Sequence, residues 1–321
     1  MGLFDRFYYG KAGKSDYSEI DMPKTRVSLF FMVIKDHFFD LIKVNFLQLI
    51  FWLPFLMWAY MNIAAIQNVD AEAMLAAEAG SMELLNTLFS YVFMWLIGLI
   101  PCVLITGPSS AGAAYIMRNW ARDQHAFLFS DFKDAFKSNW KQALAVSAIT
   151  SCIPLVAYTA TNYYATLAAQ NFIMFVPLVV ALSVTMLWTI MLPLIYPMMI
   201  GYELRLMDVI KNAFLMACAR LPQMILARII TALPLVVLFL GLYFGNAIVI
   251  MVVSLYYMLF GFALSRLIYA SFANGIFDKY LNSRIEGAQV RMGLRPEDAD
   301  EPLDDEDEVD DDEDDDEDED D

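Results

Sequence analysis

Six apolar stretches, each long enough to cross a bilayer, decide what this chain can become. They cover roughly 43–66, 84–106, 142–162, 172–199, 223–245 and 247–270, and each reaches the ~20 residues that a transmembrane helix needs. Hydrocarbon offers no water to backbone N–H and C=O groups, so each stretch must close its own hydrogen bonds as a helix. The fifth and sixth are separated only by Gly245-Asn246, which predicts a tight helical hairpin at a membrane surface. With 59% hydrophobic residues and a mean hydropathy of +0.50, the chain is too apolar for a soluble globule.

The charges orient these spans. Of 38 acidic residues, 21 stand in the last 25 positions, Glu297 to Asp321, so the body carries 17 acids against 21 bases, a net of +4. The body is mildly basic, and the tail is a separate object, too polar to bury a core. Asp70, Glu72, Glu78 and Glu83 lie in or beside the loop 67–83 with no base, and neither 163–171 nor Gly245-Asn246 carries any charge. Apart from Lys43 at the start of the first span, all lysines and arginines fall in the leader, in 107–141, in 201–228 and from Arg266 onward. That asymmetry obeys the positive-inside rule and predicts both termini in the cytoplasm. The first span begins near residue 41 behind a charged leader, so it is expected to act as an uncleaved signal-anchor. The expected domains are a cytoplasmic leader (1–37), a six-span membrane domain (38–285) and a disordered acidic cytoplasmic tail (286–321). The fold class is all-α and polytopic, with cytoplasmic amphipathic helices between spans two and three and between spans four and five.

Little in the sequence speaks for catalysis. The two histidines, His37 and His125, stand outside any motif, and no nucleophile elbow, zinc-protease helix or phosphate loop is present. Cys102, Cys152 and Cys218 have no paired spacing, so neither a disulfide framework nor a metal site is expected. No Asp, Glu or His lies near the middle of a span, which argues against proton coupling. Lys43 and Arg228 are near enough to the inner surface to snorkel. A facilitator lined by Asn62, Asn162, Ser147, Thr150, Ser183, Thr185 and Thr189 remains open. No catalytic residue, cofactor or metal is expected, and no nucleic-acid partner.

The stretch from Ile105 to Ala143 holds the only sustained mixture of charge, small residues and aromatics in the first half. Thr106-Gly107-Pro108 breaks the preceding helix. The small run Ser109 to Ala114 then leads into Tyr115, Arg118 and Arg122, the two arginines sharing one face. A second helix, expected from Asp131 with Asp131 as its N-cap, places Phe132, Ala135, Phe136, Trp140 and Ala143 on one face. Lys133, Lys137 and Lys141 form a stripe on another, the pattern of a helix in the headgroup layer. The candidate lipid- or partner-docking residues are therefore Gly107, Pro108, Tyr115, Arg118, Arg122, Lys133, Phe136, Lys137 and Trp140. Two readings stand: the bases orient the protein on anionic lipid, or the stretch docks a partner. Leu206 to Arg220, with Asp208 and Lys211, repeats the design.

Pro101, Thr106-Gly107-Pro108, Ala113-Ala114-Tyr115, Arg118 and Phe132-x-x-Ala-Phe-Lys-x-Asn-Trp-Lys-Gln-Ala together resemble the signature of the YesL-like family of bacterial multi-pass membrane proteins. The resemblance is clear over 38–145 and looser to about 285; the acidic tail is outside it. The family's core domain has no assigned function and brings no catalytic residues. Its association with carbohydrate uptake implies an accessory or assembly partner of a membrane transporter complex. A transporter or facilitator for a small polar solute is the alternative.

Overall fold

The computed structural model describes residues 22–68 and 82–296. Asp70, Glu72 and Glu78, the leader before Met22 and the acidic run from Glu297 lie outside the described residues. Pro23–Leu294 form one compact unit; of the second unit only Met22, Arg295 and Pro296 are described, and none is helical.

Every regular element among the described residues is helical. In order they are α1 (Arg26–Asp36), α2 (Phe38–Asn68), α3 (Met82–Leu104), α4 (Thr106–Trp120), α5 (Leu128–Ala168), α6 (Phe175–Gly201), α7 (Leu206–Ala219), α8 (Leu221–Tyr243), α9 (Ala247–Tyr256) and α10 (Phe262–Tyr280). Five stretches are long and apolar enough to cross a membrane: Phe38–Asn62, Leu128–Ala168, Phe172–Gly201, Leu221–Tyr243 and Ala247–Arg284. A sixth is a bent pair, Phe89–Leu104 with Thr106–Trp120, kinked by 47°. The chain is thus an all-α, multi-pass membrane protein. Leu233, Phe239, Val184 and Met251 point outward, as side chains facing lipid should.

Local chemistry places the ends. Thr25 caps α1 by accepting from the Ser28 N–H at 3.1 Å. Gly245-Asn246 makes the expected hairpin turn, and Asn246 Oδ1 accepts from the Val249 N–H at 3.2 Å to start α9. Between α9 and α10, residues Tyr257–Gly261 form a π-helical segment, the widened turn that an extra residue forces into a helix. Asn45 on α2 braces it. Its Nδ2 donates to the carbonyls of Tyr257 (3.0 Å) and Met258 (2.9 Å), and its Oδ1 accepts from the N–H groups of Phe262 (2.9 Å) and Ala263 (3.1 Å).

The core is divided by α4. One apolar cluster joins Ala111 and Ala114 of α4 to α5, α6, α7, α8 and the C-terminal half of α10. The other joins Ala113, Ile116, Met117 and Trp120 of α4 to α1, α2, Phe132 and the first half of α10. Every α4 residue except Tyr115 and Arg118 is buried. The run of small side chains lets five neighbouring helices approach its backbone closely, so α4 is a central strut rather than a surface helix.

Candidate functional site

The stretch singled out by sequence is built around the kink between α3 and α4. Pro108 has no N–H, so the Leu104 carbonyl four residues earlier loses its helical donor. Ser147 on α5 replaces it, donating its hydroxyl to Leu104 O at 2.7 Å, while Thr106 Oγ1 donates to Val103 O at 2.8 Å. Beside the kink α4 and α5 nearly touch. A Cβ on Gly107 would lie 2.4 Å from both the Ala143 carbonyl oxygen and Ser147 Oγ. Gly107 and Pro108 are therefore inside the bundle, where they set its geometry and present nothing to a partner.

Arg118 also turns inward. Its guanidinium lies 5.9 Å from the centre of the Tyr202 ring, and a Cβ on Gly201 would come within 2.7 Å of its Nε. That Nε is buried without a hydrogen-bond partner. Tyr202 donates to Asn282 Oδ1 at 2.7 Å, and Asn282 Nδ2 donates to Asp278 Oδ1 at 2.7 Å. Asp278 pairs with Arg26 and also accepts from the Arg291 N–H at 3.2 Å. Arg26 reaches on to the carbonyls of Ala121 (3.1 Å) and Met292 (2.9 Å). Burial pushes the Arg26 guanidinium below its ordinary range, and the Asp278 carboxylate opposes that shift. Burial likewise pushes the Tyr202 phenol up. One chain of polar contacts thus ties α1, the end of α4, the segment after α6 and the end of α10. Arg122 lies at its edge, with Nη2 2.7 Å from Met292 Sδ.

The second helix begins at Leu128, three residues before the expected start, and runs unbroken to Ala168. Asp131 reaches back as a carboxylate and accepts from the Phe127 N–H at 2.8 Å. Phe132, Ala135 and Ala143 pack into protein. Phe136 is half-buried, 5.5 Å from the Phe51 ring. Lys133, Lys137 and Trp140 are exposed, and Lys141 lies 5.7 Å from the Trp140 ring. The segment with the headgroup-layer pattern is continuous with the following span, forming the first four turns of one helix, and α4 covers its apolar face.

Tyr115 lines a cleft of about 240 Å³ with Asp131, Asp134, Ala135, Ser138, Asn139 and Ile200. Its charge is acidic, and neither Lys133 nor Lys137 lines it. Asp134, Ser138 and Asn139 were missed by sequence reasoning. Asp131, Asp134 and Ser138 at i, i+3 and i+7 form a polar stripe that periodicity could have revealed. The structure therefore brings together Tyr115 and the start of α5, while the half-buried Arg118, one turn from Tyr115, and Arg122 do not line the cleft. Among the described residues no group of three or more His, Cys, Asp or Glu could hold a metal ion.

Residues 82–160 match the family model described as Protein of unknown function, DUF624. That match covers α3, α4 and most of α5. No curated protein and no solved structure matches the chain.

Proposed function

We propose that this chain is a non-catalytic, multi-pass protein of a bacterial cytoplasmic membrane that acts as an accessory or assembly partner of a carbohydrate-uptake system, with both termini cytoplasmic. The observation that carries this reading is the length of α5. Its 41 residues extend ~60 Å at 1.5 Å per residue, twice the ~30 Å hydrocarbon layer. The excess turns hold the exposed Phe127, Phe129, Lys133, Lys137 and Trp140 beside the Tyr115–Asp134 cleft. A protruding helix end with exposed aromatics, basic side chains and an acidic hollow offers what a protein partner would grip. The resemblance to the YesL-like family, clear over 38–145, supports the partner class, and the bases gathered near this end support the orientation.

The facilitator reading receives less support, because its polar candidates bond within the bundle. Ser147 is bonded to Leu104 O, Thr150 accepts from Trp188 Nε1 at 3.1 Å, and Thr185 and Asn162 donate to carbonyls of their own helices. The test is co-purification of the tagged full-length chain from native membranes. A carbohydrate-transporter subunit should accompany the wild type and be lost from Trp140→Ala, Lys137→Glu and Asp134→Lys, all at normal abundance. Solute flux by the chain alone in proteoliposomes, or the same partner retained by all three variants, would overturn the reading.

A further inference from the structure

Two arginines face each other's field inside the bundle with only neutral partners. Arg228 on α8, expected near the inner surface, donates Nη1 to Tyr269 Oη at 2.7 Å, its guanidinium 5.9 Å from the centre of that ring. Arg266 on α10 donates Nη2 to Ser110 Oγ at 2.6 Å and lies 4.9 Å from the centre of the Tyr196 ring. The two guanidiniums are near enough to repel, and Tyr269 acts electrostatically on both. Among the described residues no carboxylate pairs with either one.

The proton directions sharpen this. Ser110 donates its only hydroxyl proton to Thr106 O at 2.8 Å, and Thr231 can donate its own to Ala227 O at 2.9 Å. Tyr269 Oη turns a lone pair toward Arg228 and lies 2.8 Å from Thr231 Oγ1, where either hydroxyl can donate to the other. Each guanidinium has five N–H donors, of which one meets a protein acceptor here. Two like charges in an apolar bundle, each with four donors that no described residue answers, are stabilised when an anion joins them. Both residues keep part of their surface exposed.

Their depth agrees. Arg228 precedes Tyr243 by 15 residues and Arg266 follows Ala247 by 19. From the Gly245-Asn246 hairpin those separations are ~23 and ~29 Å of helix, close to one hydrocarbon thickness of ~30 Å. By that measure the pair falls near the boundary opposite the hairpin, the depth at which lipid phosphates lie.

We propose that Arg228 and Arg266 together bind a phosphate-type oxyanion, with Tyr269 and Ser110 holding the two forks in place. Guanidiniums suit this ligand because their paired N–H groups match two oxygens of one phosphate. The phosphate belongs either to an anionic lipid headgroup or to a soluble phosphate. The site stands apart from the docking reading, since it involves no residue of the α5 end. The test is thermal unfolding of the full chain in phosphatidylcholine nanodiscs, alone, with inorganic phosphate added, or with phosphatidylglycerol in the disc. A rise in Tm with phosphatidylglycerol alone assigns the phosphate to lipid; a rise with inorganic phosphate assigns it to a soluble ligand. Either rise should need about tenfold more ligand in Arg228→Gln and in Arg266→Gln, while Lys279→Gln, at an exposed lysine outside both the pair and the α5 end, should respond as the wild type does. If a Gln variant is not recovered folded, Arg228→Lys and Arg266→Lys carry the same comparison, keeping the charge and losing the fork. No Tm rise with either ligand, or equal rises in wild type and arginine variants, would overturn the proposal.

Discussion

Replacing Asn45 should unfold this protein more readily than replacing any other single amide. The π-helical segment Tyr257–Gly261 lies in an apolar helix where no water can satisfy its loosened backbone. One side chain compensates, through four hydrogen bonds of 2.9–3.1 Å from a residue with no exposed surface. A hydrogen bond within a membrane helix bundle contributes ~0.6 kcal/mol on average, and a buried bond in a soluble protein up to ~1.5 kcal/mol. Four of them place the cost of Asn45→Ala at about 2–6 kcal/mol. Asn45→Asp keeps the shape but turns two donors into acceptors facing the Tyr257 and Met258 carbonyls, so it should be at least as harmful. Asn162→Ala is the control, because that exposed amide donates only to the Tyr158 carbonyl of its own helix and should cost under about 0.5 kcal/mol. The assay is denaturant titration in mixed micelles, read by tryptophan fluorescence. If Asn45→Ala unfolds within about 0.5 kcal/mol of the control, the segment does not depend on Asn45 and the reasoning fails.

Ser147→Ala should cost about 1–3 kcal/mol in the same titration, because it strands the Leu104 carbonyl beside Pro108; Gly107→Ala should be worse, since its Cβ meets backbone. Asp278→Asn should destabilise by about 3–5 kcal/mol by leaving Arg26 without its carboxylate, nearer the lower figure because Arg26 keeps its two carbonyl acceptors; an unchanged midpoint would remove Asp278 from the scaffold. Burial first, and Asp36 second, push the Asp123 carboxyl above the ordinary range, with His37 opposing. The native state therefore holds that proton more tightly, and its contribution to stability is greatest in acid and falls as pH rises through the native value. Asp123→Asn should flatten that part of the pH–stability curve, and an unaltered curve would contradict the assignment. Finally, single cysteines at Thr166 and Asn246 should react with an impermeant reagent on intact cells, and those at Lys133 and Lys211 should not; outside labelling of Lys133 would reverse the orientation.

Hydropathy, length and breaker residues determined the all-helical class, the spans, the Gly245 hairpin and the break at Thr106-Gly107-Pro108, because each is a local property of the chain. The amphipathic α7 was legible for the same reason, its Val209, Ala213, Met216 and Ala217 buried and Lys211 exposed. Tertiary packing decided which polar groups meet. Arg118 and Arg122 share a helical face in sequence, yet Arg118 lies under Tyr202 and Arg122 reaches Met292. Arg266 meets a serine 156 residues away, and Asn45 meets carbonyls more than 200 residues away. Helical periodicity tells which residues share a face but not which neighbour that face meets, and in an apolar bundle a polar side chain's role is decided by that neighbour.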